Sequence, residues 1–204
     1  PWRVVDPGLA IKLFPSQFGT HYTINAGLDI HQLAGGARIE HVRIVTPVMK
    51  YVDRPQPVTG LAGKFSLQYT AAAAILDGKV GIDTFTDARR FRADMVELLG
   101  KITLVQDESI VGDFHHMHIA IDANLANGQR VSALCRQPKG SWGVPPLAPA
   151  EHREKLLDCF HRALPPAQVD ALIALFEQLE TLNAAAVAQI SALIATSSRG
   201  TPHA

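Results

Sequence analysis

The 204-residue sequence is short of cysteine, has no charge surplus and carries no long apolar run, and each shortage removes a class of protein. Its two cysteines, Cys135 and Cys159, stand far apart. They form neither a disulfide framework nor the spacing of a zinc site or an iron–sulfur cluster. Lys plus Arg number 19 and so do Asp plus Glu, which makes the formal net charge zero. Nucleic acid or an anionic membrane as the main partner calls for a basic surplus, so neither is expected. No apolar stretch is long enough to span a bilayer, and no signal peptide is visible. The Ala-rich "LNAAAVAQISALIATSS" is interrupted by Gln189 and Ser191, as suits a packing helix. The chain therefore reads as intracellular, with a cytoplasmic location expected. G-x-G-x-x-G, P-loop and G-x-S-x-G patterns are missing too, which leaves two common nucleotide modes and a hydrolase elbow unsupported. The first residue is Pro1 rather than Met, so a processed chain or a piece of a longer one is expected.

What is present describes a folded α+β protein. The chain is 47% hydrophobic and 19% charged, enough to build a core. Prolines 1, 7 and 15 make the first 19 residues an irregular lead-in. Apolar spacing at Ile24, Leu28, Ile30 and Leu33 predicts a helix that Thr20 can cap and "AGG" ends. β-branched residues predict a strand over about 38–46, with Ile39, His41 and Arg43 on one face and Pro47 ending it. A Pro/Gly linker (53–63) leads to a helix over 64–78, stopped by Gly78. A short helix at 92–99 follows, then three strands, the last two joined by the turn "ANG". After the linker "GSWGVPPLAP" come three helices with apolar stripes and no strand. The reading is a two-layer α+β unit over 1–140 and a helical tail over 150–197 whose stripes need a further apolar partner.

Three stretches could carry chemistry. In "AIKLFPSQFGTH", Lys12 is either a solvated lysine whose stem covers an apolar patch or the cation of an anion site. Stiff proline and aromatic neighbours would reduce the entropy lost on gripping a carboxylate. His21 sits at a helix start, where backbone N–H groups attract anions, and could equally be a capping or core histidine. In "KYVDRPQP", Tyr51 is a phenol at a strand end, either structural or able to donate a hydrogen bond or proton; Arg54 could pair with a substrate carboxylate. In "HHMH", His116 and His118 would share one face of a strand, yet no third ligand is adjacent, so no metal is expected.

Together, "IKLFPSQFGTH", "KYVDRPQP", "GKFSLQYTAAAAILDGKVGIDTFTD" and "GVPPLAPAEHREKLLDC" resemble the MmgE/PrpD family, over about residues 8 to 182. That family includes 2-methylcitrate dehydratase, cis-aconitate decarboxylase and an iminodisuccinate epimerase. The resemblance implies a large all-helical domain and a smaller α+β lid with the active site between them. This chain would be the lid plus the returning C-terminal helices, its partner being an N-terminal helical domain not contained in it, and self-association into a homo-oligomer is expected. In the decarboxylase branch the lid supplies a lysine, a histidine five residues on, and a tyrosine in "YVxRP". Lys12 and Tyr51 match as catalytic residues; Gln17 stands where the histidine would be. Gln17, His21 and Arg54 become candidate binders of a di- or tricarboxylate. The implied chemistry is cofactor-independent proton abstraction beside a carboxylate, with loss of water or carbon dioxide or return of the proton. The isolated chain is expected to be inactive. The competing reading is a non-catalytic α+β binding or assembly module that kept the scaffold.

Overall fold

Two glycines stop the two helices that form the first layer. Helix α1 (Thr20–Ala34) ends at Gly35, whose φ of 56° is left-handed and whose N–H returns to the carbonyls of His31 and Gln32. Helix α2 (Leu67–Asp77) ends the same way at Gly78, with φ 62°. Its start is fixed by Ser66, whose hydroxyl accepts from the Tyr69 N–H. A computed structural model describes residues 2, 4–6, 8–142 and 147–197. Pro1 and Pro7 of the expected lead-in and residues 143–146 of the expected linker lie outside the described residues.

The chain divides into two units, 1–147 and 148–204. In the first, a four-stranded sheet of β1 (Ile39–Thr46), β2 (Ile102–Gln106), β3 (Ile119–Leu125) and β4 (Arg130–Cys135) has the order β2-β1-β3-β4. β1 and β2 are parallel; the other pairs are antiparallel. The parallel pair needs a long crossover, and α2, the short helix α3 (Asp87–Arg90) and α4 (Ala93–Leu99) supply it. Helix α1 lies on β3 and β4 and packs along α2. Every residue of α2 from Leu67 to Ile75 is buried, as befits a helix covered on all sides. Its alanines let α1 approach closely: a Cβ on Gly27 would come within 2.8 Å of the Ala74 Cβ. Tyr22 and Tyr69 are fully buried, and their hydroxyls donate to the carbonyls of Phe114 and Thr84. Burial pushes both phenols up to about 12. Buried Arg89 ties the end of α2 to α4, pairing with Asp77 at 2.7 Å and Asp94 at 3.2 Å.

The second unit holds α5 (Pro149–Phe160), α6 (Pro166–Phe176) and α7 (Ala184–Ser197). Both α5 and α6 begin on a proline, where a missing N–H costs nothing. Its core is small: Leu164, Val169, Leu172 and Ile173, flanked by Leu156, Leu157, Phe160, Ile190 and Leu193. Phe176, Leu179 and Val187 remain exposed. This is the α+β class expected, and no helix among the described residues is long and apolar enough to cross a membrane.

Three details differ from the sequence reading. Gly19, not Thr20, is the N-cap of α1; Thr20 is the first helical residue, and its hydroxyl points back to Ser16 and the Gln17 carbonyl. In β1 a bulge between Ile39 and His41 shifts the alternation, so Ile39 joins Val42, Ile44 and Thr46 on the buried face instead of facing His41's way. "HHMH" does not begin a strand. His115 and His116 lie in a turn whose N–H groups donate to Asp113, and His118 precedes β3. His116 pairs with Asp113 at 2.8 Å rather than facing His118.

Candidate active site at the start of helix α1

The segment before α1 is fastened at both ends. The Ile11 N–H donates to the Gly140 carbonyl at 2.8 Å, and the Gln17 N–H donates to the Lys64 carbonyl at 3.0 Å. Phe14 is buried against Ile24 and Ala74. His21 is fully buried, its ring edge-on to Phe14 and tilted against Phe18, both at 5.2 Å. It thus underlies the segment and sits off the exposed face. Phe18 also meets Phe114 and Trp142, so an aromatic cluster continues the wall.

The loop after β1 is locked from below. Asp53 accepts from the side-chain amides of Gln68 at 2.6 Å and Gln106 at 2.9 Å. The Ser66 hydroxyl donates to the Arg54 carbonyl, and the Arg54 N–H donates to the Gln68 side chain. Thus the cap residue of α2 also clamps the loop that presents Tyr51. The Arg54 guanidinium donates to the Tyr51 carbonyl at 3.1 Å and stacks 5.5 Å over the Phe65 ring.

These two frames bring Gln17 and Tyr51, 34 residues apart, into contact: the Gln17 amide donates to the Tyr51 hydroxyl at 3.2 Å. Tyr51 is about half exposed. Because its oxygen accepts from Gln17, its own hydrogen is left to donate outward. The Gln17 side-chain oxygen Oε1 is buried without a hydrogen-bond partner among the described residues. Lys12 and Arg54 are exposed on the same two segments, and Lys12 makes no ion pair with a described residue. The arrangement offers a donor phenol and an amide, with cations on the segments that carry them: a set suited to oxyanions and carboxylates.

Of the residues singled out from sequence, the structure joins Gln17 to Tyr51 and Tyr51 to Arg54. It buries His21 against Phe14 and Phe18 and leaves Lys12 exposed on the segment that carries Gln17, with no contact to Tyr51 or Arg54. Sequence reasoning missed Gln68 and Gln106, whose spacing from Asp53 carries no local signal. It also missed Lys64, half-buried beside Gln17 with its ammonium 5.7 Å over the Phe85 ring, although it opens the "KFSLQY" motif. Among the described residues no group of three His, Cys, Asp or Glu could hold a metal. A cavity of about 280 Å³ lies at the other end of α1, lined by His31, Ile39, Leu98 and Lys101 among others. Its rim charges are consumed locally: Lys101 pairs with Glu97, Asp94 with Arg89 and Arg92.

Comparison with known proteins identifies the family. The profile of the MmgE/PrpD C-terminal domain matches residues 14–181. Human cis-aconitate decarboxylase is 27% identical over 189 residues, covering 89% of this chain and 39% of that protein. The mouse protein of the same name is 26% identical over 190 residues. The 2-methylcitrate dehydratase of Cupriavidus necator is 27% identical over 182 residues, covering 79% of this chain and 36% of that protein. The chain thus spans well under half the length of these relatives. With the match extending from Phe14 across the Gln17–Tyr51 contact and into the second unit, the chain belongs to the MmgE/PrpD family.

Proposed function

We propose that this chain is the lid-bearing C-terminal portion of a cofactor-independent lyase acting on a hydroxylated di- or tricarboxylate, as in dehydration of a 2-methylcitrate-like substrate. The contact between Gln17 and Tyr51 carries the reading, because it joins the two motifs and leaves the phenolic hydrogen free to donate. Lys12 and Arg54 grip substrate carboxylates, with Gln17 adding a hydrogen bond. His21 supports the segment from beneath.

In the forward step a base removes the proton beside a carboxylate, the C–H electrons form the C=C bond, and the C–O bond breaks. The leaving hydroxide departs as water with a proton from Tyr51, which solvent then restores. Gln17 neither gives nor takes a proton near neutrality and His21 is buried, so we assign the base to the part of the full-length protein outside this chain. General acid catalysis of this kind is worth about 10²–10⁴-fold. The isolated 204 residues are accordingly inactive, and the exposed Phe176, Leu179 and Val187 of the second unit are covered by that same helical part in a homo-oligomer.

The human and mouse relatives, named for a decarboxylase, favour a second reading in which carbon dioxide leaves. Gln17 disfavours it, since the amide cannot serve as a titrating acid. An epimerase, in which the proton returns, is the third outcome. Lys12→Ala in the full-length protein, assayed against citrate and 2-methylcitrate, tests the lyase reading. Turnover falls at least about tenfold, the worth of one charge-assisted contact. Unchanged turnover means that the role given to Lys12 is wrong, whereas no turnover by the unaltered full-length protein supports a non-catalytic scaffold.

A further inference from the structure

Gly19 is, like Gly27, a glycine kept for space rather than for backbone freedom. Its φ of −59° and ψ of −27° are open to any residue, so backbone freedom does not call for it. As an N-cap it makes no side-chain cap bond, and Ser, Asp or Asn there would add only roughly a few tenths of a kcal/mol to α1. The reason lies in the space above it. A Cβ at Gly19 would come within 2.5 Å of the Met49 methyl carbon and 2.9 Å of the Gln17 side-chain oxygen, and 3.6 Å from the Tyr51 hydroxyl. Both clashing atoms are far ends of flexible side chains, and because Met49 is buried its methyl moves by repacking beside the Gln17 amide.

We infer that Gly19 is a positioning residue: its missing side chain is the seat on which the Gln17 amide rests while it holds the Tyr51 hydroxyl. Adding one methyl group meets two flexible side-chain ends, the Met49 methyl and the Gln17 amide, and both give way in preference to backbone. The fold survives and the contact opens. Tyr51 then loses the donor that directs its hydrogen outward. This inference rests on the carboxylate-lyase reading for its functional consequence, but its geometric content stands apart from it.

The test uses the full-length protein with Gly19→Ala, Gln17→Ala, the double variant, and Gly27→Ala as a control that strains α1 against α2 far from the contact. Citrate affinity is measured by calorimetry, melting temperature by scanning calorimetry, and the Gln17–Tyr51 separation in crystals of Gly19→Ala. Gly19→Ala weakens citrate about three- to tenfold, the worth of one hydrogen bond. In the Gln17→Ala background it adds less than about twofold, because the group it displaces is gone. Gly27→Ala lowers the melting temperature and leaves citrate affinity unchanged. An equal loss in both backgrounds, or an equal loss in Gly27→Ala, overturns the inference. If citrate does not bind the unaltered protein, the lyase reading fails; the crystal separation then decides the inference alone, with opening beyond 3.5 Å supporting it and retention of the contact refuting it.

Discussion

Arg89→Met probes the scaffold on which the site is built. The Arg89 side chain is 9% exposed, and its guanidinium spends three bonds on two carboxylates: 2.7 and 3.0 Å to Asp77, and 3.2 Å to Asp94. Methionine keeps most of the apolar stem and removes the charge, so packing loss is small. Asp77, 20% exposed, is left with only the 3.2 Å contact from Arg92, which is 55% exposed and well screened. Stranding a partly buried charge in this way costs about 3 kcal/mol, the lower end for a broken buried pair. Arg92→Met, by contrast, removes a solvent-screened surface group and costs much less. For a unit of this size the Arg89 loss corresponds to a fall of about 6–12 °C in melting temperature. The assay is urea unfolding followed by tryptophan fluorescence, since Trp142 packs on Phe18 and His115 within the first unit while Trp2 is exposed. If Arg89→Met is no more destabilising than Arg92→Met, the buried network is not what joins α2 to α4.

Three further outcomes follow from the same structure. Tyr22 and Tyr69 are raised by burial to about 12, so their neutral forms stabilise the fold below the ordinary phenol range, and that support is lost as pH climbs through 12. Absorbance titration should show two of the three tyrosines ionising only as the protein unfolds in alkali; all three titrating near 10 in the native protein would contradict the burial. At the acid end, the hydrogen bond from Arg92 holds the Asp94 carboxyl down at about 2, so its contribution is complete above about 4 and fades as pH falls toward 2. Asp94→Asn should therefore flatten the stability profile between pH 4 and 2, by about 1 kcal/mol or less given its partial exposure; an unchanged slope there rejects the pairing. Val187→Glu, on an exposed position of α7, should leave the melting of the isolated chain within about 0.5 kcal/mol and yet disrupt assembly or solubility of the full-length protein; harmlessness in both contexts would mean that nothing covers this face.

Much of the fold was legible because its signals are local. Gly35 and Gly78 end helices in the left-handed conformation that glycine favours, and "ANG" turns β3 into β4 around Gly128 at φ 84°. The misplaced features answer to non-local packing. The β1 bulge is set by pairing with β3, some 80 residues on, and no pattern within β1 announces it. "HHMH" alternates like a strand, but Asp113 captures the N–H groups of His115 and His116 and curls the chain first. At the site, Tyr51 and Gln17 were visible as chemistry, whereas their contact was not: it depends on Asp53 finding Gln68 and Gln106 across three elements. His21 illustrates the limit from the other side. An imidazole beside a lysine motif suggests ligand binding, and only packing against Phe14 and Phe18 reveals a ring used as core.

Tyr51→Phe in the full-length protein tests the central claim most directly, because it deletes one exposed hydroxyl and leaves the Asp53 clamp that holds the loop. The account predicts that kcat/KM for dehydration of a hydroxytricarboxylate falls by about 10²–10³, with the melting temperature unmoved. Turnover within about twofold of the unaltered protein would contradict it.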